Sequence, residues 1–211
     1  MKESVQVETA ILNSELPVME DFYTIQGEGF YQGNAAYFIR LGGCQVRCVW
    51  CDVKDSWDLN AHPKQAITAL VKKAKDSGSK IVVITGGEPS MHNLTNLTQS
   101  LKIEGLRTHI ETSGAYPLTG TWDWVCFSPK KFKAPHESVP ALANELKVVI
   151  FHKTDFDWAE EFAAKVPKHC HLYLQPEWSK EEDMLPQIIN YVKKHPQWKI
   201  SLQVHKYMNI P

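Results

Sequence analysis

The 211-residue sequence has no long apolar run, no internal repeat, no low-complexity tract and no Gly-, Ser- or Pro-rich stretch of linker length. A membrane-spanning helix needs about 20 consecutive apolar residues, so a membrane is not an expected partner. In the N-terminal segment MKESVQVETAILNSELPV an acid breaks each short apolar run. The segment therefore resembles neither a signal peptide nor an anchor, and a cytoplasmic location is expected. An excess of one charge is lacking too. The 23 Lys and Arg residues stand against 24 Asp and Glu, which gives no general attraction to a phosphate backbone and argues against nucleic acid as a partner. With no linker to divide it and 43% hydrophobic residues to fill a core, the chain is expected to form one domain.

Cysteine is scarce and odd in number. Of five, Cys44, Cys48 and Cys51 fall within eight residues, unlike the paired, dispersed cysteines of a disulfide framework. Reduced thiols that bind metal are the better fit.

From residue 35 onward, β-rich runs alternate with segments of helical period, the pattern of parallel strands joined by crossover helices. The fold class is α/β. Strands are predicted over 35–41, 80–85, 108–112, 124–128, 145–151, 169–175 and 199–203, and helices over 63–76, 93–103, 155–165 and 180–195. In the last helix Met184, Leu185, Ile188, Ile189 and Val192 form one core-facing stripe, and Ser179 with Glu182 has the form of a capping box. Residues 1–15 are expected to be either a loose extension or an edge element packed on the domain. Cys126 and Cys170 lie in apolar strand runs and read as packing thiols. His169 and His171 would share a strand face, but no third metal ligand stands near them in sequence.

The segment Gly42-Gly43-Cys44-Gln45-Val46-Arg47-Cys48-Val49-Trp50-Cys51-Asp52 follows the first strong strand run. Its thiols therefore sit in a loop at a strand's C-terminal end, where barrels and open α/β sheets place their chemistry. Spacings of three and two residues let a short loop wrap one compact centre, and thiolate is the ligand of iron–sulfur clusters. A 4Fe-4S cluster takes one ligand per iron, so three thiols leave one iron open to a substrate or cofactor. A structural zinc site completed by Cys126, Cys170 or a histidine elsewhere is the alternative.

Three further motifs close strands. Thr85-Gly86-Gly87-Glu88-Pro89 offers a glycine turn that permits close backbone approach, and Glu111-Thr112-Ser113-Gly114 and Ser128-Pro129-Lys130 place polar groups at the mouth of such a fold.

C-x3-C-x2-C with Trp50 just before the third cysteine resembles the signature of the radical S-adenosylmethionine (SAM) superfamily, and the GGEP turn resembles that superfamily's contact to the SAM amino group. Within it, Ile25-Gln26-Gly27-Glu28-Gly29, Phe38-Ile39-Arg40-Leu41, the cluster segment continued through Asp52-Val53-Lys54-Asp55-Ser56-Trp57, and Leu202-Gln203-Val204-His205-Lys206-Tyr207 resemble the 7-carboxy-7-deazaguanine synthase family. The likeness runs from about residue 20 to 211.

The resemblance implies a modified partial (β/α) barrel of mostly parallel strands, with residues 16–211 as a single radical SAM domain in a homodimer. It implies a 4Fe-4S cluster on Cys44, Cys48 and Cys51, and a deoxyadenosyl radical from SAM. That radical would abstract the C6 hydrogen of 6-carboxy-5,6,7,8-tetrahydropterin. Ring contraction and loss of ammonia would then leave 7-carboxy-7-deazaguanine, a precursor in queuosine and deazapurine biosynthesis. Trp50, Gly87, Ser128, Pro129, Lys130 and Gln175 would hold SAM; Ile25, Gln26, Gly27, Arg40, Thr85 and Pro211 would contact the substrate, and His205 is a candidate for the pocket wall. A flavodoxin or ferredoxin would supply the electron. The family's threonine after Cys-Asp, a magnesium ligand, is Val53 here, and valine has no donor oxygen. Asp52, Asp55, Ser56 or water would have to replace it, and no residue is assigned to magnesium. An activase that installs a glycyl radical on a partner protein shares the cluster motif and is the second enzymatic reading; neither the Ile25–Gly29 segment nor Pro211 has an evident use there.

Overall fold

The structure is a computed structural model that describes residues 14–211. The expected extension over 1–15 lies outside the described residues except for Ser14 and Glu15, and Glu15 opens the first strand. In chain order the elements are β1 (Glu15–Ile25), β2 (Ala35–Leu41), β3 (Lys64–Ala66), α1 (Ile67–Asp76), β4 (Ile81–Gly86), α2 (Thr95–Ile103), β5 (Arg107–Thr112) and β6 (Trp124–Phe127). They continue with β7 (Glu145–Ile150), α3 (Asp155–Ala163), β8 (His171–Pro176), α4 (Glu181–Lys194), β9 (Trp198–Ile200) and α5 (Val204–Met208).

Among the described residues the nine strands join one sheet in the order β3-β1-β2-β4-β5-β6-β7-β8-β9. From β2 to β9 every neighbouring pair is parallel, whereas β1 is antiparallel to both β2 and β3. No described pairing joins β3 to β9, so the sheet is an open, partial barrel.

Period-two alternation decides which side chains meet the helices and which face inward. Tyr37, Ile39 and Leu41 of β2, Val82 and Ile84 of β4, Ile110 of β5 and Val125 of β6 are buried in one apolar cluster with Leu70 of α1 and Leu97 and Leu101 of α2. Phe127, Leu146, Val148, Ile150 and Leu174 continue this outer face against Phe156 and Phe162 of α3 and Met184 and Ile188 of α4. Each fully buried Leu, Ile or Phe contributes about 1.5–3 kcal/mol. The opposite set, including Phe38, Arg40, Thr85, Glu111, Ser128, Lys147 and Gln175, lines the inside.

Several local expectations need correction. The predicted start of the first helix, residues 64–66, is the edge strand β3, and the helix begins at Ile67. Before α4 the Ser179 hydroxyl donates to Glu177 Oε2 at 2.6 Å inside a 3-10 turn, and no side chain caps the helix at Lys180, so the capping box is not formed. Ile189, 36% exposed, falls off the buried stripe. His169 precedes β8, and the His171 ring packs on Phe30 at 4.4 Å.

Candidate active site

The strand ends converge on a cavity of about 280 Å³. After β2 the chain enters the cysteine loop, whose first turn is held by Gly43 N–H donating to Ser56 O at 2.7 Å and Cys44 N–H to Trp57 O at 3.1 Å. Arg47 takes a left-handed conformation, φ 53°, between the first two cysteines, and its guanidinium lies 5.9 Å from the Trp57 ring centre. Cys51 N–H closes the loop onto Cys48 O at 3.0 Å. All three thiols are free, and all three face the cavity. Burial pushes the Cys48 thiol up to about 11, reinforced by Cys51 and Cys44 and opposed by the Lys130 ammonium. Metal binding would release that proton.

The turn after β4 is fastened to this loop. Gly87 N–H donates to Leu41 O at 2.9 Å and Glu88 N–H to Gly43 O at 2.8 Å. Glu88 is 1% exposed. Its Oε1 accepts from Ser90 N–H at 3.0 Å, from the Ser90 hydroxyl at 2.7 Å and from the Thr112 hydroxyl. Its Oε2 accepts from Ser113 N–H at 2.8 Å and from the Ser113 hydroxyl. The glutamate of the GGEP turn thus ties the end of β4 to the end of β5, and the turn's backbone is left to face the cavity.

Beyond β6, Lys130 Nζ donates to Ser128 O at 2.8 Å and to Ser128 Oγ at 2.5 Å, and lies 5.7 Å from the Trp50 ring centre. Gln175 is buried at the end of β8, where its Oε1 accepts from the Ser201 hydroxyl at 2.7 Å.

The barrel interior carries charge. Lys147, on the inner face of β7 and 4% exposed, is ion-paired with Glu28 and lies 3.8 Å from Glu111 Oε2. Burial opposes ionisation of Glu28, yet Lys147 beside it, with the Gln203 amide at 2.9 Å, holds that carboxyl down at about 2. Burial likewise works against the Lys147 charge, and Glu111 and Glu28 outweigh it, so the ammonium titrates well above its ordinary range. Gln26 is fixed at both ends: its Nε2 donates to Glu111 Oε1 at 2.8 Å and its Oε1 accepts from Glu28 N–H at 3.1 Å. Val204 N–H donates to Gly27 O at 3.0 Å and Lys206 pairs with Asp52 at 2.9 Å, which draws the 201–211 segment across the cavity. The left-handed Asn209 turns it, and Pro211 lines the wall.

Residues 38–151 match the Radical SAM superfamily. The chain is 55% identical to the 7-carboxy-7-deazaguanine synthase of Flavobacterium psychrophilum, over 98% of each chain. The chain belongs to the 7-carboxy-7-deazaguanine synthase family. A family member from Synechocystis sp. is 50% identical over 95% of this chain and 96% of its own. The crystal structure of QueE from Escherichia coli superposes with a TM-score of 0.85 at 30% identity, covering 95% of this chain and 99% of that one.

The family is a radical SAM family and brings a 4Fe-4S cluster and SAM, and the thiols fit the cluster. Among the described residues no three His, Cys, Asp or Glu side chains stand close enough to share one metal ion. A lone zinc draws its sulfurs to about 2.3 Å from a single point. Thiols that share a cavity without converging on one point suit a cluster in which each takes a different iron. Magnesium is a poorer fit. Val53 lines the cavity without an oxygen donor, the Ser56 hydroxyl donates to Val53 O at 2.6 Å, and Asp55 is not among the lining residues. Only Asp52 of the substitutes lines it, and Asp52 is paired with Lys206.

Of the other residues expected at the site, Trp50, Gly87, Ser128, Lys130, Gln175, Ile25, Gln26, Gly27, Arg40, Thr85, His205 and Pro211 all line this one cavity. Pro129 is buried and is not part of the lining. Arg40 Nε bonds Glu20 Oε1 at 2.6 Å, so the end of its fork remains for a ligand. Sequence reasoning did not single out Lys147, Trp178 or Phe22, which also line the cavity. Lys147 left a signal, a charge in the middle of the apolar run ELKVVI, since lysine is almost never fully buried without a partner.

Proposed function

We propose that this chain converts 6-carboxy-5,6,7,8-tetrahydropterin to 7-carboxy-7-deazaguanine with loss of ammonia. The observation that carries the reading is the convergence of both chain regions with family motifs on the cysteine cavity: Gln26 and Gly27 from the β1–β2 loop, and His205 and Pro211 from the 201–211 segment. An activase acting on a protein partner gives no evident reason for bringing both of these segments to the cysteine cavity. When bound, the cluster and SAM would supply the radical chemistry needed for hydrogen abstraction at the pterin's C6.

The chain's own residues bind and orient. Cys44, Cys48 and Cys51 carry the cluster, while Trp50, Gly87, Ser128, Lys130 and Gln175 hold SAM, with Pro129 shaping the Ser128–Lys130 turn. Arg40 presents its planar fork to the substrate carboxylate. Ile25, Gln26, Gly27, Thr85 and Pro211 surround the ring, with the Gln26 amide locked by Glu111 and Glu28. On this reading residues 16–211 are one radical SAM domain that works as a cytoplasmic homodimer fed by a flavodoxin- or ferredoxin-type donor, and no residue is assigned to magnesium. Among the described residues no helix is long and apolar enough to cross a membrane.

The test is anaerobic reconstitution with iron and sulfide, then incubation with the pterin, SAM and a reductant, with products read by mass spectrometry. 7-Carboxy-7-deazaguanine is expected. A cluster-loaded chain that cleaves SAM but makes none of it would overturn the reading.

A further inference from the structure

Beneath the large cavity the barrel interior holds a second chamber of about 10 Å³, with Gln26, Glu28, His109, Glu111 and Glu145 among its walls. Gln26, Glu28 and Glu111 line both spaces, so they form the partition between them. His109 and Glu111 are two residues apart on β5 and therefore share its inner face. His109 is 3% exposed, and its ring is packed at 4.5 Å from the Tyr31 ring and 6.3 Å from that of Trp124. Among the described residues, its Nε2 finds no hydrogen-bond partner. Burial draws this imidazole down to about 4, with Arg107 adding to the effect, so at neutral pH it is uncharged and each ring nitrogen is either a donor or an acceptor.

A buried nitrogen of this kind is seldom left alone, because an unmet polar group forfeits its hydration without return. A buried water needs about 10–15 Å³ and two to four polar partners. The chamber supplies both. We propose that it is a binding site for one water molecule, held between His109 Nε2 and the Glu111 carboxylate, that props Gln26 against the substrate cavity.

Glu111 is the hinge of this arrangement. Lys147 attracts its Oε2 from 3.8 Å and Gln26 donates to its Oε1 at 2.8 Å. The water fixes the carboxylate from below, and Glu111 in turn fixes the amide that faces the ligand. His109 is thus a positioning residue, three hydrogen bonds away from Gln26 through the water and Glu111, and touches no substrate.

The kinetic arm of the test rests on the function proposed above, and the crystallographic arm does not. A crystal structure at a resolution that shows ordered water is expected to place one density peak within hydrogen-bond distance of His109 Nε2 and a Glu111 oxygen. His109→Phe keeps the ring packing and removes the nitrogen. It is expected to lose the peak and to raise KM for the pterin about fivefold with kcat little changed, the signature of lost binding common to ground and transition states. His109→Gln, which returns an amide near the Nε2 position, is expected to restore both. An empty chamber in the wild type overturns the proposal, as does an unmoved KM once the peak has gone from His109→Phe. Should His109→Phe fail to fold, the wild-type map and His109→Gln decide. A water in place in a protein that turns over no pterin would defeat the proposed function and uphold the site.

Discussion

Gly87 runs so close to the cysteine loop that a Cβ on it would collide with the Gly43 carbonyl oxygen and stand 2.9 Å from Cys44 Cβ. The obstacle is mostly backbone, which cannot swing away as a side chain would, and the same backbone carries Cys44, the first of the thiols proposed to hold the cluster. Gly87→Ala is therefore expected to push the loop outward, with less iron bound per chain after reconstitution and a lower Tm. Iron and sulfide analysis beside a thermal scan checks it; a variant with wild-type iron content would show that the loop yields freely.

Glu88 receives five hydrogen bonds from Ser90, Thr112 and Ser113. Glu88→Gln replaces one acceptor oxygen with an NH2 group that meets the Ser113 donors head-on. A buried donor facing donors costs about 1–3 kcal/mol and more where a charged group is lost, so destabilisation of about 2–4 kcal/mol is expected. Equilibrium denaturant unfolding of the wild type and variant measures it. A difference under about 0.5 kcal/mol, the usual scale of surface changes, would mean that the turn repacks.

The seven parallel strands were all legible because each is a short β-rich run between turn residues. β1 was not. Its sequence ELPVMEDFYTI places Glu20 and Asp21 in mid-strand, where charge argues against a sheet. Those acids are satisfied by partners far along the chain: Arg40 for Glu20, and Tyr37, Gln65 and Lys73 for Asp21. Tertiary pairing of this kind overrides local propensity. The cysteine loop could be singled out because its three thiols are close in sequence, whereas the Lys147–Glu28–Glu111 group joins residues up to 119 positions apart and exists only in the fold.

Val53 offers a test of the metal question. A threonine there would add a hydroxyl to a wall that already includes Asp52, and hard oxygens are what magnesium binds. Val53→Thr is expected to make turnover rise with added magnesium, whereas the wild type responds little. Activity titrated against magnesium in both proteins decides it. Equal responses would show that position 53 ligates nothing in this chain.

Lys147 and Glu28 are expected to contribute to the acid limit of the fold. Glu28 titrates near 2 in the folded protein against an ordinary 4.5, so the folded state favours its ionised form. A depressed folded pKa gives stability that is fully present above about 4.5 and is lost as pH falls toward about 2. Acid unfolding monitored through that window is therefore expected to steepen below pH 4.5. Lys147→Met removes the cation and strands two carboxylates inside the barrel; loss of one partner from a buried pair costs about 3–5 kcal/mol. The variant should be destabilised by that order at pH 7. Its stability should also fall less on acidification, since Glu28 then gains a proton without giving up an ion pair. Unfolding free energies at pH 7 and pH 3.5 for both proteins separate the two effects. Parallel pH curves would show that some other carboxylate governs the acid transition.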